Sequence, residues 1–126
     1  MGSSKYKNRS KAQISKDAYN NYKKKYYTKS IQMYEYLIEK NYKPAYAHYM
    51  IGVMNYRRKN YANAIAYFKE SAKLYSKASY MPTLLLHTAV AMKRTGDKQN
   101  AQKFFKVLMK KYPSSAEAKS AKKYIN

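Results

Sequence analysis

Small and apolar side chains return along this chain at helical spacing, in blocks parted by short polar turns, and two of the blocks superimpose. The segment from Gly52 to Phe68 aligns with that from Ala89 to Phe105, each reading as small residue, helix, turn, helix. A fainter copy lies upstream, with Ala18 at the small position, Lys25-Tyr26-Tyr27 at the turn, Ser30 at the second small position and Tyr34 at the aromatic. The spacing from Ser30 to Ala64 is 34 residues and from Ala64 to Ala101 is 37. A small residue at Gly52 or Ala89, facing Ala64 or Ala101, lets two helices of a hairpin approach closely. Phe68 or Phe105, four positions further on, shares that face and fills the space between successive hairpins.

The breakers divide the pattern. Pro44 and Pro82 suit the first turns of helices, where a missing N–H costs little, and Pro113 stops the helix that precedes it. Gly96-Asp97 marks the tightest turn. Ser114, with Glu117 three residues on, reads as a capping box for a last helix. The pattern therefore predicts helices near 10–24, 28–40, 45–58, 61–75, 82–95, 98–111 and 115–124. Residues 75–81 form the longest link and account for the longer second period.

A helical hairpin repeated at this period resembles the tetratricopeptide-repeat family. The second repeat keeps Ile51, Gly52, Tyr61, Ala64 and Phe68, with His48, Asn55 and Ser71 off the usual types; the third keeps Ala89, Ala101, Phe105 and Pro113. The first departs most, through Asp17 and Ser30, and reads as a degenerate cap. The expected fold is all-α: a right-handed superhelix of about three such hairpins plus a C-terminal capping helix. Residues 1–9 are expected to be a vector-like start, Met1 to Ser4, and a flexible basic lead. Residues 10–126 form the repeat domain, with repeats near 11–44, 45–81 and 82–115 and the capping helix at 115–124.

Composition narrows the function. Lys+Arg number 27 against 6 Asp+Glu, a formal net charge of +21, so anionic partners of any kind are attracted. Lysine supplies 23 of those cations and arginine 4, which leans away from base and phosphate readers that use the bidentate arginine fork. There is no cysteine, which excludes disulfides, thiol nucleophiles and Cys-ligated zinc. The longest apolar stretch, Met81 to Met92, is too short to span a bilayer. His48 and His87 have no carboxylate or second histidine at i+3 or i+4, so no metal site is expected and both read as packing residues. Glu35 and Glu39 share a helix face near Lys29, Lys40 and Lys43 and read as a solvated salt-bridge pair. No phosphate loop, nucleophile elbow or His-x-Glu constellation occurs, so neither a catalytic residue nor a cofactor is expected.

In a superhelix of the resembled type the first helix of each hairpin lines the concave side. That exposes Tyr19, Tyr22 and Lys23, then Tyr49, Val53, Tyr56 and Arg57, then Leu86, Val90, Lys93 and Arg94, an aromatic floor with a basic rim. Such a groove suits a peptide or helix with acidic or amphipathic character. The carboxylate clamp of some family members is not matched, its positions falling on Ser15, Tyr19, Met50 and Thr83.

The run from Pro82 to Ala89, the Gly96-Asp97-Lys98 turn, and Tyr112-Pro113-Ser114 followed by an Ala/Lys-rich helix resemble the closing repeat of the periplasmic Tol-Pal and cell-division coordinator family. The segment Asp17-Ala18-Tyr19-Asn20 resembles that family's opening. The resemblance implies a non-enzymatic periplasmic adaptor of the bacterial cell envelope that binds another envelope protein. Two alternatives stand beside it. One is a nucleic-acid binder, from the net charge and the interleaved Tyr22-Lys23-Lys24-Lys25-Tyr26-Tyr27; the other is a secretion chaperone. A cytoplasmic location is compatible with the cysteine-free composition.

Overall fold

The computed structural model describes residues 5–125, so Met1 to Ser4 lie outside the described residues. Seven α-helices follow one another: α1 (Lys11–Lys23), α2 (Tyr27–Glu39), α3 (Pro44–Arg57), α4 (Tyr61–Leu74), α5 (Met81–Arg94), α6 (Lys98–Lys111) and α7 (Ala116–Ala121), with a 3₁₀ turn at Lys122–Tyr124. The described residues contain no strand. Each helix packs on its neighbours in sequence, α1 on α2, α3 on α4 and α5 on α6, while α7 lies across α5 and α6. Helix α3 also touches α5 directly, whereas α4 and α6 are held apart. In the second and third hairpins the first helices thus lie closer together than the second helices, which is what bends a stack of hairpins into a superhelix.

Local chemistry explains the boundaries. Ser10 caps α1 by accepting from the Gln13 amide at 3.0 Å, and Asp97 caps α6 by accepting from the Asn100 amide at 3.3 Å. Pro44 and Pro82 fall in first turns as expected. The last helix departs from expectation. Its cap is Ser115, whose Oγ accepts from the Ala118 amide at 3.0 Å, and Glu117 is drawn away to accept a hydrogen bond from Thr83 at 2.7 Å. A long-range partner outcompetes the local capping box because it also ties α7 to α5.

The core follows the small-and-aromatic pattern. Ala64, Phe68, Ala89, Ala101 and Phe105 are almost fully buried. Gly52 is indispensable for its size: a Cβ there would meet the Phe68 ring at 2.7 Å. The first hairpin is held by the same logic despite its off-consensus residues. Ser30, fully buried, donates to the Ala18 carbonyl at 2.7 Å, a bond between the two helices that an alanine could not make. Ser71 does likewise, donating to Ala45 O at 2.7 Å across α3 and α4. Asp17 sits at the rim of α1, accepting from Gln13 Nε2 at 2.9 Å and pairing with Arg9.

Two expectations are corrected here. Residues 5–9 are not a loose lead: Tyr6 is 5% exposed and packs its ring on Tyr36 with centroids 4.9 Å apart. Glu35 and Glu39 form no salt bridge, and the ion pair among the described residues is Arg9 to Asp17. Both glutamates point to water, where a pairing with flexible lysines gains little.

Candidate functional site

The inner layer presents a floor of tyrosines. From α1 come Tyr19 and Tyr22, whose rings lie 5.6 Å apart; from α3 come Tyr46, Tyr49 and Tyr56. Tyr80, at the end of the long link, lays its ring on Tyr49 at 4.0 Å and an interplanar angle of 11°. Tyr56 stacks in the same way on His87 of α5, at 4.3 Å and 13°. Arg57 places its guanidinium 5.4 Å from the Tyr22 ring centroid, and Lys23 its ammonium 5.3 Å from that of Tyr19.

Of the residues expected to line this face, Tyr19, Lys23, Arg57, Lys93 and Arg94 are exposed, and Tyr22, Tyr49, Tyr56 and Leu86 are half-buried with one side open. Val53 and Val90 are not part of it. They are 6% and 7% exposed and belong to the core. The reason is local: residues 50–55 of α3 and 88–92 of α5 are buried on every face, because these inner helices are packed by neighbours on both flanks and by the second helices behind. The clamp positions likewise hold Ser15, Tyr19, Met50 and Thr83, and Met50 is buried.

Residues that the sequence did not assign to this face complete the site: Tyr46, Tyr80, Thr83, His87 and Glu117. Tyr80 donates to Ser71 Oγ at 2.8 Å, since the Ser71 proton is already given to Ala45 O, and the three-residue extension of the second period is what delivers Tyr80 onto Tyr49. That extension was the available signal. Glu117 reaches the face only through the fold, from α7 to Thr83.

The electrostatics favour neutral phenols. Burial pushes the Tyr49 hydroxyl up to about 12, with Tyr22 and Tyr46 nearby adding to it. Burial likewise raises Tyr46, Tyr56 and Tyr80, and the Arg94 cation partly opposes this at Tyr56. Tyr34, beneath them, is raised furthest, again by burial. The phenols of the floor therefore stay protonated through the physiological range. Helices α3 and α5 contribute no carboxylate.

The surroundings of His87 disfavour its protonation. Burial, and then the Arg57 cation, hold it below its usual 6.5, with Glu117 opposing. The unfolded chain protonates this residue below about pH 6.5 while the folded chain resists, so the unfolded state binds more protons there. Stability present above that pH is expected to decline as pH falls through the window towards the folded value. Thermal melts of the wild type between neutral and mildly acidic pH should show the decline, and His87→Phe, which keeps the stack on Tyr56, should flatten it. Equal slopes in both proteins would refute the assignment.

The architecture is that of a helical-repeat solenoid with one aromatic, cationic inner face. The family model of the tetratricopeptide repeat matches residues 46–78 and 83–115, together just over half of the sequence, and the chain belongs to that family. The two matched segments are the second and third hairpins, the same two blocks that superimpose in the sequence. No curated protein matches the chain. Tetratricopeptide repeats as a class mediate contacts between proteins. No described helix is long and apolar enough to cross a membrane, and no three potential metal ligands among the described residues come together.

Proposed function

We propose that this chain is a non-catalytic adaptor of the bacterial cell envelope that holds an acidic or amphipathic segment of a partner protein along its inner face. The observation that carries the reading is the tyrosine floor, flanked by Arg57 and Arg94, with no carboxylate on α3 or α5. An acidic peptide would gain hydrogen bonds from neutral phenols and charge-assisted bonds from the two arginines, around apolar contacts with Tyr49, Tyr80 and Leu86. The envelope part of the reading rests on the resemblance of the C-terminal run, Gly96-Asp97 to Tyr112-Pro113-Ser114, to the Tol-Pal coordinator family, and a periplasmic location follows from the same resemblance.

The test is site-directed photo-crosslinking in the cell. A photoreactive residue at Tyr19 or Leu86 should yield one discrete adduct, and one at Lys69 on the outer face should not. The pair R57E and R94E should remove the adduct by weakening the complex roughly tenfold or more, as expected for desolvated charge pairs. Equal adducts from both faces would overturn the groove. A discrete inner-face adduct with a cytoplasmic protein would overturn the envelope assignment and leave the groove standing.

A further inference from the structure

All three hairpins reverse through the same turn. Lys25, Lys59 and Gly96 occupy the equivalent position two residues past the helix end, each left-handed, with φ of 66°, 64° and 91°. Their amides donate to the carbonyls of Tyr22, Tyr56 and Lys93 at 2.9, 3.0 and 3.1 Å, and the next amides reach back to Asn21, Asn55 and Met92 at 2.9, 2.8 and 2.8 Å. Glycine adopts this conformation freely and a residue with a Cβ does so at a cost, which is why glycine dominates at this position of helix ends. The third turn uses glycine. The first two hold lysine, the charge being kept where the backbone disfavours it.

These turns lie side by side along one edge of the stack. Arg58 of the second donates to Thr28 Oγ1 at 2.8 Å and places its guanidinium 5.6 Å from the Tyr27 ring centroid, both just past the first turn. Tyr56, at the second turn, stacks at 4.3 Å on His87 of α5, the helix that runs into the third turn. Every residue of the runs 23–25 and 57–59 is basic and exposed, and Lys93, Arg94 and Lys98 flank the third turn, also exposed. Three of the four arginines in the chain stand on this edge. The carboxylate at these turns, Asp97, is already engaged with the Asn100 amide and side chain. Cations near helix C-termini are favoured by the helix dipole, which accounts for basic residues in the last turn. Lys43, ahead of α3, is left-handed as well, with φ of 45°, so it is the succession of cations at the hairpin turns that marks this edge.

We propose that this turn edge is a track for single-stranded nucleic acid that adjoins the inner face, sharing Arg57 and Arg94 with its rim while Lys24, Lys25, Arg58 and Lys59 belong to the edge alone. The cations follow one another from hairpin to hairpin, as the phosphates of an extended strand do. Flat groups stand among them: Tyr26, 57% exposed, and the Arg58–Tyr27 and Arg57–Tyr22 pairs. Bases stack on such faces whatever their sequence. An acidic peptide would satisfy the charges and leave the rings unused, so the strand is the better match to both features.

Fluorescence anisotropy with a labelled oligouridine of about 20 nucleotides tests this. With about five phosphates neutralised, affinity should fall about 100-fold between 50 and 200 mM salt. The variant K24E/R58E/K59E, which leaves the inner-face residues untouched, should bind at least about tenfold more weakly at physiological salt. The control K103E/K106E/K110E, on the outer face of α6, changes net charge by the same amount and should lose less than about threefold. The pair K25G and K59G removes two charges while relieving the turns. It should weaken binding yet raise the melting temperature by about 3 °C or more, a combination that a damaged fold would not produce. Equal losses in the edge and α6 variants would reduce the effect to net charge and overturn the proposal. So would polyglutamate or a duplex of equal length binding as tightly with the same dependence on the edge.

Discussion

Phe68→Ala is expected to lower the free energy of unfolding by about 3–5 kcal/mol, the range for deleting a fully buried aromatic ring. Phe68 is 0% exposed and closes the space between α3, α4 and α5, with Tyr49 and His87 rings 6.0 and 6.3 Å from its own. Its loss opens a cavity that the surrounding helices cannot fill, because Gly52 opposite offers no side chain. Urea denaturation followed by far-ultraviolet circular dichroism reads the effect. A double-mutant cycle sharpens it: Gly52→Ala should destabilise the wild type, where its methyl meets the ring, and stabilise the Phe68→Ala background, where the methyl fills part of the void. The same sign in both backgrounds would show that the two residues do not share the contact described.

Ending the chain at Ser114 should cost about 3 kcal/mol, from the burial of two alanine methyls and one tyrosine ring, and leave a protein that self-associates. Ala118 and Ala121 are 2% and 0% exposed, and the Tyr124 ring lies parallel to Phe105 at 4.9 Å and 4°. Gln102 secures this cover by donating to the Tyr124 carbonyl at 2.8 Å. Without it the apolar flank of α6, including Phe105, faces water, and a solenoid end in that state pairs with another copy. Denaturation midpoints give the stability, and size-exclusion chromatography over a range of concentrations gives the association. A shortened chain that stays monomeric and as stable as the full one would remove α7 from its capping role.

Much of the fold could be read from the residues because a repeat protein buries its surface through short-range contacts. Gly52 against Phe68, and the alanines at 64, 89 and 101, are small where the neighbouring helix must come close, and that requirement is visible as a pattern with a period. Helix ends were legible for the same reason, Pro44, Pro82 and Gly96 being local constraints on φ. The expected helices lie within a residue or two of those observed along α1 to α6. The last helix was legible as an element and misread in detail, since the choice between Ser114 and Ser115 as cap depended on Thr83, 34 residues away from Glu117.

The inner face was legible only in its outline. Tyr19, Tyr22, Tyr49, Tyr56, Arg57 and Arg94 follow from the position of first helices in a superhelix, whereas Val53 and Val90 were assigned to the surface and are core. Helical periodicity reports one apolar face, and helices enclosed by neighbours on both flanks have more than one. Whether a given tyrosine finishes the core or opens to a partner was equally beyond the sequence, since a phenol suits either place. Tyr80 and Glu117 joined the site through the long link and the packing of α7, contacts between segments far apart in the chain. The recurrence of a left-handed turn with lysine in it was present in the sequence as Lys25 and Lys59 opposite Gly96, but its meaning was not. By itself the sequence determined the helices, their pairing and the overall excess of positive charge, because spacing and composition are properties of the chain. Only the tertiary structure decided which phenols face outward and that the basic turns form one continuous edge, because stacking brings together residues that no local pattern connects.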